Sequence, residues 1–145
     1  PTLQEEHFRT FYNVDGVHLV KDASYEVMAN SDFALVTSGT ATLETGLFGT
    51  PMVVVYKTSW PTYLLGRLLI RLKNIGLVNI VAGKQIVPEF IQHRASASTM
   101  AREVIRLLQN VELLASMKQE LQGVKGRLGE YGASNRVAQR ILQMV

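Results

Sequence analysis

Two apolar runs decide the fold: Phe33-Ala34-Leu35-Val36-Thr37, which leads into Ser38-Gly39-Thr40, and Pro51-Met52-Val53-Val54-Val55-Tyr56, which leads into Lys57. Neither alternates apolar and polar residues as a half-exposed strand does. Both predict strands covered on both faces, the usual condition of a parallel sheet. Between them, Ala41 to Phe48 predicts a helix closed by Gly49. Upstream, Val17-His18-Leu19-Val20 predicts a short strand after the turn Asn13-Val14-Asp15-Gly16. Ser24 to Asn30 predicts a short helix with Asp22 or Ser24 as its N-cap, and Gln4 to Tyr12 the end of another. Strands and helices alternating in this order imply βαβ units, hence a Rossmann-like, doubly wound parallel α/β sheet.

Downstream, Pro61 to Lys73 predicts a long helix. Its residues Leu64, Leu65, Leu68, Leu69 and Leu72 form a wide apolar face beside Arg67 and Arg71, with Trp60 and Tyr63 at its start. The pattern suits a core-packed helix with solvated arginines, a helix lying on a membrane surface or a hydrophobic ligand site; it is too short and too charged to span a bilayer. Ile75 to Ala82 is expected to be a strand or extended loop, and Pro88 to Gln92 the start of a short helix. Three helices fill the tail, at about Ser98–Leu108, Val111–Leu128 and Ser134–Met144. In the middle one Leu114, Met117, Leu121, Val124 and Leu128 recur every three or four residues as a single stripe. Gly129, Gly132 and Ser134 break this helix and cap the next. The tail is expected to cover the sheet.

The composition agrees with one domain and excludes several functions. With 145 residues, 47% of them hydrophobic and 19% charged, the chain can bury a core and is not intrinsically disordered. A net charge of +3 without a basic stripe set with aromatic residues argues against nucleic acid as a partner. The absence of cysteine excludes disulfides, thiolate metal sites and cysteine nucleophiles. His7, His18 and His93 lack metal-ligand spacing. The start Pro1-Thr2-Leu3 carries no initiator Met and no targeting peptide, as expected of a piece of something longer.

Ligands of parallel α/β sheets bind at the carboxyl ends of the strands. Ser38-Gly39-Thr40 lies there: Gly39 permits close backbone approach, the free N–H groups of a helix start favour phosphate, and two hydroxyls add donors. The plainer reading is an ordinary turn with Thr40 as N-cap. With that cap, Glu44 falls one place beyond the capping-box position, on a face shared with Ala41, Leu47 and Phe48. A carboxylate one turn into such a helix suits the hydroxyls of a ribose; a rim glutamate reaching water is the alternative. Tyr56 and Lys57 end the Val-rich strand, where a lysine can meet a phosphate as a point charge or simply be the first solvated residue. Asn79 sits inside an apolar run and needs partners, from backbone or ligand. Glu89 and Gln92, three apart, would share a helical face.

These blocks together resemble lipid-A-disaccharide synthase. The likeness covers Ser31-Asp32-Phe33-Ala34-Leu35-Val36-Thr37-Ser38-Gly39-Thr40-Ala41-Thr42-Leu43-Glu44 and Gly49 to Lys57. It continues through Leu77-Val78-Asn79-Ile80-Val81-Ala82-Gly83, Val87 to Gln92, and Leu128 to Ala138. Order and spacing agree over essentially the whole chain. The resemblance implies a GT-B glycosyltransferase with two Rossmann-like domains. It moves 2,3-diacylglucosamine from UDP-2,3-diacylglucosamine to 2,3-diacylglucosamine 1-phosphate, without metal or cofactor, in the cytoplasm at the inner membrane. Residues 1–145 would then be the donor-binding, carboxyl-terminal domain without its first strands. By the likeness Ser38, Gly39 and Thr40 face the diphosphate, Glu44 the ribose, and Asn79 the active-site cleft; Val78 replaces the family's more common Pro. The acidic catalytic base would belong to an amino-terminal domain, and the donor-binding Arg of a Gly-Ser-Arg segment would lie before Pro1. No catalytic residue is therefore expected here. Other GT-B donor domains, of the UDP-N-acetylglucosamine 2-epimerase or murein-type transferase kind, share the glycine-turn and glutamate logic, as does a non-catalytic Rossmann-like module. An exposed sheet edge could promote homodimerisation.

Overall fold

The computed structural model describes residues 16–63, 74–129 and 132–144. Three parallel strands form its sheet in sequential order: β1 (Ala34–Thr37), β2 (Met52–Tyr56) and β3 (Glu89–Ile91). In register, Ala34 pairs with Met52 and Thr37 with Val55, while Val54 pairs with Glu89 and Tyr56 with Ile91. The helices that lie wholly within the described residues are α1 (Ser24–Asn30), α2 (Thr40–Leu47), α3 (Leu77–Ala82), α4 (Ala97–Leu108), α5 (Val111–Arg127) and α6 (Ala133–Leu142). The described residues form an α/β fold of the Rossmann-like kind, a small parallel sheet with flanking helices and a helical carboxyl-terminal end.

β2 is the strand most fully enclosed. Met52, Val53 and Val54 are all buried, so consecutive residues on opposite faces both meet protein, as the unbroken Val run requires. β1 is different. Only Val36 of its four residues is buried, and Leu35 remains 57% exposed, because β1 is the edge of the described sheet. Its continuous apolar character therefore does not mean enclosure on both faces. Residues 17–20 form no strand and are exposed, so the sheet is not extended by Val17–Val20.

Two further expectations are overturned. Residues 75–82 are not extended: Leu77–Ala82 is helical, begun by Gly76 and ended by Gly83 in the left-handed region at φ 71°. β-branched residues favour strands, but Val78, Asn79 and Ala82 recur on one buried side, and tertiary burial outweighs local propensity. Conversely Pro88–Gln92 does not begin a helix. Pro88 enters β3, its carbonyl accepting the Val54 N–H at 2.9 Å, and a proline is tolerated where a strand begins. A single 3₁₀ turn, Gln92–Arg94, follows.

The core lies where α2, α3 and α5 meet the sheet. Met117, Leu121 and Val124 of α5 are buried with Met52, Val54 and Val78. The ends of the predicted stripe fall away: Leu114 is half-buried and Leu128 exposed. Gly46 of α2 is the contact point, since a Cβ there would lie 2.8 Å from Val78 Cγ2 and 3.5 Å from Leu121 Cδ2. Ser96 caps α4 and Asn110 caps α5, each accepting a backbone N–H three residues on. Arg127 of α5 donates from Nη1 to the Ala82 carbonyl at 2.8 Å, supplying an end-of-helix acceptor of α3 with a partner. α6 buries none of its residues, so it does not cover the sheet as the tail was expected to. Ala23 and Gly132, not Asp22 or Ser24 and not Ser134, stand at the N-caps of α1 and α6. The expected helix over Gln4–Tyr12 and most of Pro61–Lys73 lie outside the described residues; residues 60–63 are helical, with Trp60 67% exposed.

Candidate functional site

All three strands run the same way, so Ser38, Lys57 and Gln92 come to one edge of the sheet. Ser38 N–H continues the ladder to the Val55 carbonyl at 2.8 Å before the chain turns into α2. Gly39, not Thr40, is the N-cap. Its φ of 155° is one that side-chain-bearing residues rarely adopt, and no side chain caps the helix. Nothing lies within 4 Å of where a Gly39 Cβ would sit, so backbone conformation rather than crowding selects glycine. The first helical N–H groups, on Thr40 and Ala41, have no described partner, and Gly39 and Thr40 are exposed. An eight-residue helix thus opens its positive end to solvent at the carboxyl edge.

Glu44 occupies the second turn, half-buried and without a hydrogen-bond or ion-pair partner among the described residues. Its face is not the packed one. Leu47 and Phe48 are exposed, and α2 is buried through Thr42, Thr45 and Gly46. The two threonine hydroxyls reach that interior by donating to the Gly39 and Ala41 carbonyls of their own helix, both at 2.8 Å. Two small back-bonded threonines let the helices approach closely and turn Glu44 toward solvent.

Asn79 is fully buried, and its amide is fully occupied by protein. Nδ2 donates to the Val87 carbonyl at 2.9 Å and to Glu89 Oε1 at 2.8 Å; Oδ1 accepts from Ile86 and Val87 N–H at 2.8 and 3.0 Å. Glu89, also buried, accepts in addition from Ile75 N–H at 2.9 Å and Gly76 N–H at 3.0 Å. The purpose of this network is positional. It fixes the Ile75-Gly76 turn, whose Ile75 carbonyl accepts the Ser38 hydroxyl at 3.2 Å. A Gly76 Cβ would fall 3.1 Å from Val54 Cγ2 and 3.3 Å from Glu89 Oε1, so the close approach needs glycine. The Ile75-Gly76 turn is not legible as part of this edge, because it opens the segment Ile75 to Ala82 that the sequence suggests is a strand or extended loop; an acid and an amide ten residues apart, Asn79 and Glu89, are its only signal.

Glu89 and Gln92 do not share a helical face; one lies in β3 and the other in the 3₁₀ turn. Gln92 instead forms a reciprocal pair with Thr58. Its Oε1 accepts Thr58 N–H at 2.8 Å, and its Nε2 donates to the Thr58 carbonyl at 2.9 Å. This ties the loops after β2 and β3 together and holds Gln92 at φ 52°, unusual for a residue with a side chain. Lys57, Thr58, Trp60, Gln92, His93 and Ser96 line a recess of about 280 Å³ beside the clamp. Lys57 and His93 are exposed; Tyr56 is half-buried at the end of β2. The edge therefore gathers donors for a phosphoryl group, namely an open helix start, the Thr40 hydroxyl and Lys57, and an acceptor for ligand hydroxyls in Glu44, which has no partner among the described residues.

A family model described as lipid-A-disaccharide synthetase matches residues 3–143. The chain is 45% identical over 130 residues to the lipid-A-disaccharide synthase of Syntrophus aciditrophicus (strain SB), covering 90% of this chain and 34% of that protein. It is 48% identical over 145 residues to the synthase of Anaeromyxobacter dehalogenans (strain 2CP-C), covering 98% and 38%. With the synthase of Myxococcus xanthus (strain DK1622) it shares 39% over 147 residues, covering 100% and 38%. The chain spans little more than a third of the length of these relatives. By this match the chain belongs to the lipid-A-disaccharide synthetase family.

Proposed function

We propose that the chain is the donor-binding part of a GT-B glycosyltransferase of lipid A biosynthesis. Its donor is UDP-2,3-diacylglucosamine and its acceptor 2,3-diacylglucosamine 1-phosphate, handled in the cytoplasm at the surface of the inner membrane. The observation that supports this reading is the uncapped start of α2 at the carboxyl edge, with Glu44 one turn inside it and without a partner among the described residues. In this arrangement the helix start at Gly39 and Thr40 meets the diphosphate, Ser38 holds the turn by donating its hydroxyl to the Ile75 carbonyl, and Glu44 accepts from the ribose. Lys57 supplies a point charge at the end of the neighbouring strand. Asn79, Glu89 and Gln92 serve the site through the backbone they hold, and Tyr56 through the strand end it closes. The sugar transfer itself draws on an acidic base from another domain.

Titration of the purified chain with UDP, followed by amide chemical shifts, tests the reading. Saturable shifts at Thr40, Ala41 and Glu44 are expected, with UDP affinity falling about tenfold or more in Glu44→Gln, the loss of one charge-assisted hydrogen bond. Shifts confined to other parts of the chain, or none, would leave a Rossmann-like module in which Glu44 is only a surface residue.

A further inference from the structure

The 3₁₀ turn after β3 and the outer face of α4 enclose a second, more cationic recess. Arg94 comes from the turn; Thr99, Arg102 and Arg106, at i, i+3 and i+7, come from one face of α4. Pro88 and the buried Phe90 contribute to its lining, and the recess measures about 270 Å³. Its acids are committed. Glu103 binds Arg106 in two bonds, Oε2 accepting from Nε at 2.8 Å and Oε1 from Nη2 at 2.6 Å. Glu89 accepts three N–H groups from Ile75, Gly76 and Asn79. Arg94 and Arg102 have no hydrogen-bond or ion-pair partner among the described residues. One hydroxyl is primed in the same place. Ser96 Oγ donates to Thr99 Oγ1 at 2.8 Å, which leaves the Thr99 proton to donate elsewhere.

We infer that this recess is a phosphoryl-anion site, with Arg94 and Arg102 as its ligands and the Thr99 hydroxyl as a third donor. Arg102 and Arg106 lie four apart on a helix, where like charges repel. An anion between Arg102 and Arg94 offsets that repulsion and uses the paired donors of each guanidinium. Glu103, by engaging Arg106, keeps that third arginine from competing for the anion. The inference does not depend on the donor reading of the α2 edge. The phosphoryl group can belong to a soluble phosphate or to a lipid headgroup; a cleft of about 470 Å³ lined by Ile86, Leu107, Leu113 and Met117 shares Arg94 and Gln85 with the recess.

The test follows the Arg Nε–H and backbone amide resonances of the whole chain at fixed ionic strength, the Thr99 amide reporting in variants that lack the arginines, first with inorganic phosphate and then with vesicles of phosphatidylglycerol or phosphatidylcholine. Saturable shifts at Arg94, Arg102 and Thr99 with inorganic phosphate assign a soluble ligand. The same response to phosphatidylglycerol but not phosphatidylcholine assigns a headgroup. In Arg94→Gln/Arg102→Gln either response should weaken at least about tenfold, while Arg140→Gln on the exposed α6 leaves it unchanged. These side chains are exposed, so an unaltered circular dichroism spectrum is expected for both variants. Linear, unsaturated shifts shared equally by Arg140 would overturn the inference, as would an unchanged affinity in the double variant.

Discussion

Asn79 and Glu89 show how a polar pair can occupy an apolar interior without a ligand. Every hydrogen-bonding position of the Asn79 amide is filled, and the Glu89 carboxyl faces only N–H donors. Substitutions here should be costly in a graded way. Glu89→Gln replaces one oxygen by an NH₂ group, which must face at least one of the Ile75, Gly76 or Asn79 donors, and about 1–3 kcal/mol of stability should be lost. Asn79→Asp places oxygen against both the Val87 carbonyl and Glu89 Oε1, and should cost more, at least about 3 kcal/mol. Denaturant unfolding measures both. If Asn79→Asp proves the milder of the two, the hydrogen-bond assignment is wrong. That an amide in this apolar run needs partners is legible in the sequence; whether backbone or ligand provides them is not. Only the helical path of residues 77–82 brings Asn79 beside Ile86, Val87 and Glu89, and nothing local encodes that meeting.

Packing at the level of elements turns on one missing side chain. Gly46 is the residue on which α2, α3 and α5 converge, and a methyl there would overlap Val78. Gly46→Ala gains up to about 1 kcal/mol in helix propensity but meets an overpacking cost of about 1–3 kcal/mol, so a net loss is expected. Gly123→Ala and Gly126→Ala on α5 have nothing within 4 Å and should stabilise the chain, by up to about 1 kcal/mol each. Thermal midpoints of the three variants check the ordering. The strongly patterned elements were legible: β2 and the helices α2, α4 and α5 lie within a residue or two of expectation. The failures have a common physical origin. Leu77–Ala82 is rich in β-branched residues yet helical, and Glu89–Ile91 follows a proline yet pairs as a strand, because contacts distant in sequence decide both. On α2 the apolar residues Leu47 and Phe48 do not mark the buried side, because Thr42 and Thr45 satisfy their hydroxyls on carbonyls of their own helix and are buried with Gly46. On α4, the two hydrogen bonds from Arg106 hold the Glu103 carboxyl below its ordinary range. A depressed carboxyl pKa adds stability above the ordinary carboxylate value, and that contribution disappears as pH falls through the depressed one. Glu103→Gln should therefore lose slightly at neutral pH and nothing at about pH 2, as unfolding midpoints across that interval would reveal.

At the scale of the whole molecule, burial is uneven. The β2–α2–α3–α5 assembly holds the core, whereas α6 exposes Val137, Ile141 and Leu142. Leu121→Ala should accordingly cost about 2–5 kcal/mol, and Ile141→Ser no more than about 0.5 kcal/mol. The same unevenness bears on chemistry. The carboxyl edge offers an open helix start and the Thr40 hydroxyl, to which the proposed function assigns the diphosphate. Transfer also requires a group to take the proton from the attacking acceptor hydroxyl. Of the glutamates at this edge, Glu89 is committed to three N–H donors, and Glu44 is assigned to the ribose in the proposed function. No carboxylate among the described residues of the edge is left for the acceptor. The expected outcome is a separation of binding from turnover: the purified chain binds UDP but forms no disaccharide from UDP-2,3-diacylglucosamine and 2,3-diacylglucosamine 1-phosphate. Mass spectrometry of the lipid products measures the second part. Disaccharide formed by the chain alone would overturn the division of labour argued here. Its loss in His93→Ala would then identify the base as the exposed histidine beside the Gln92–Thr58 clamp.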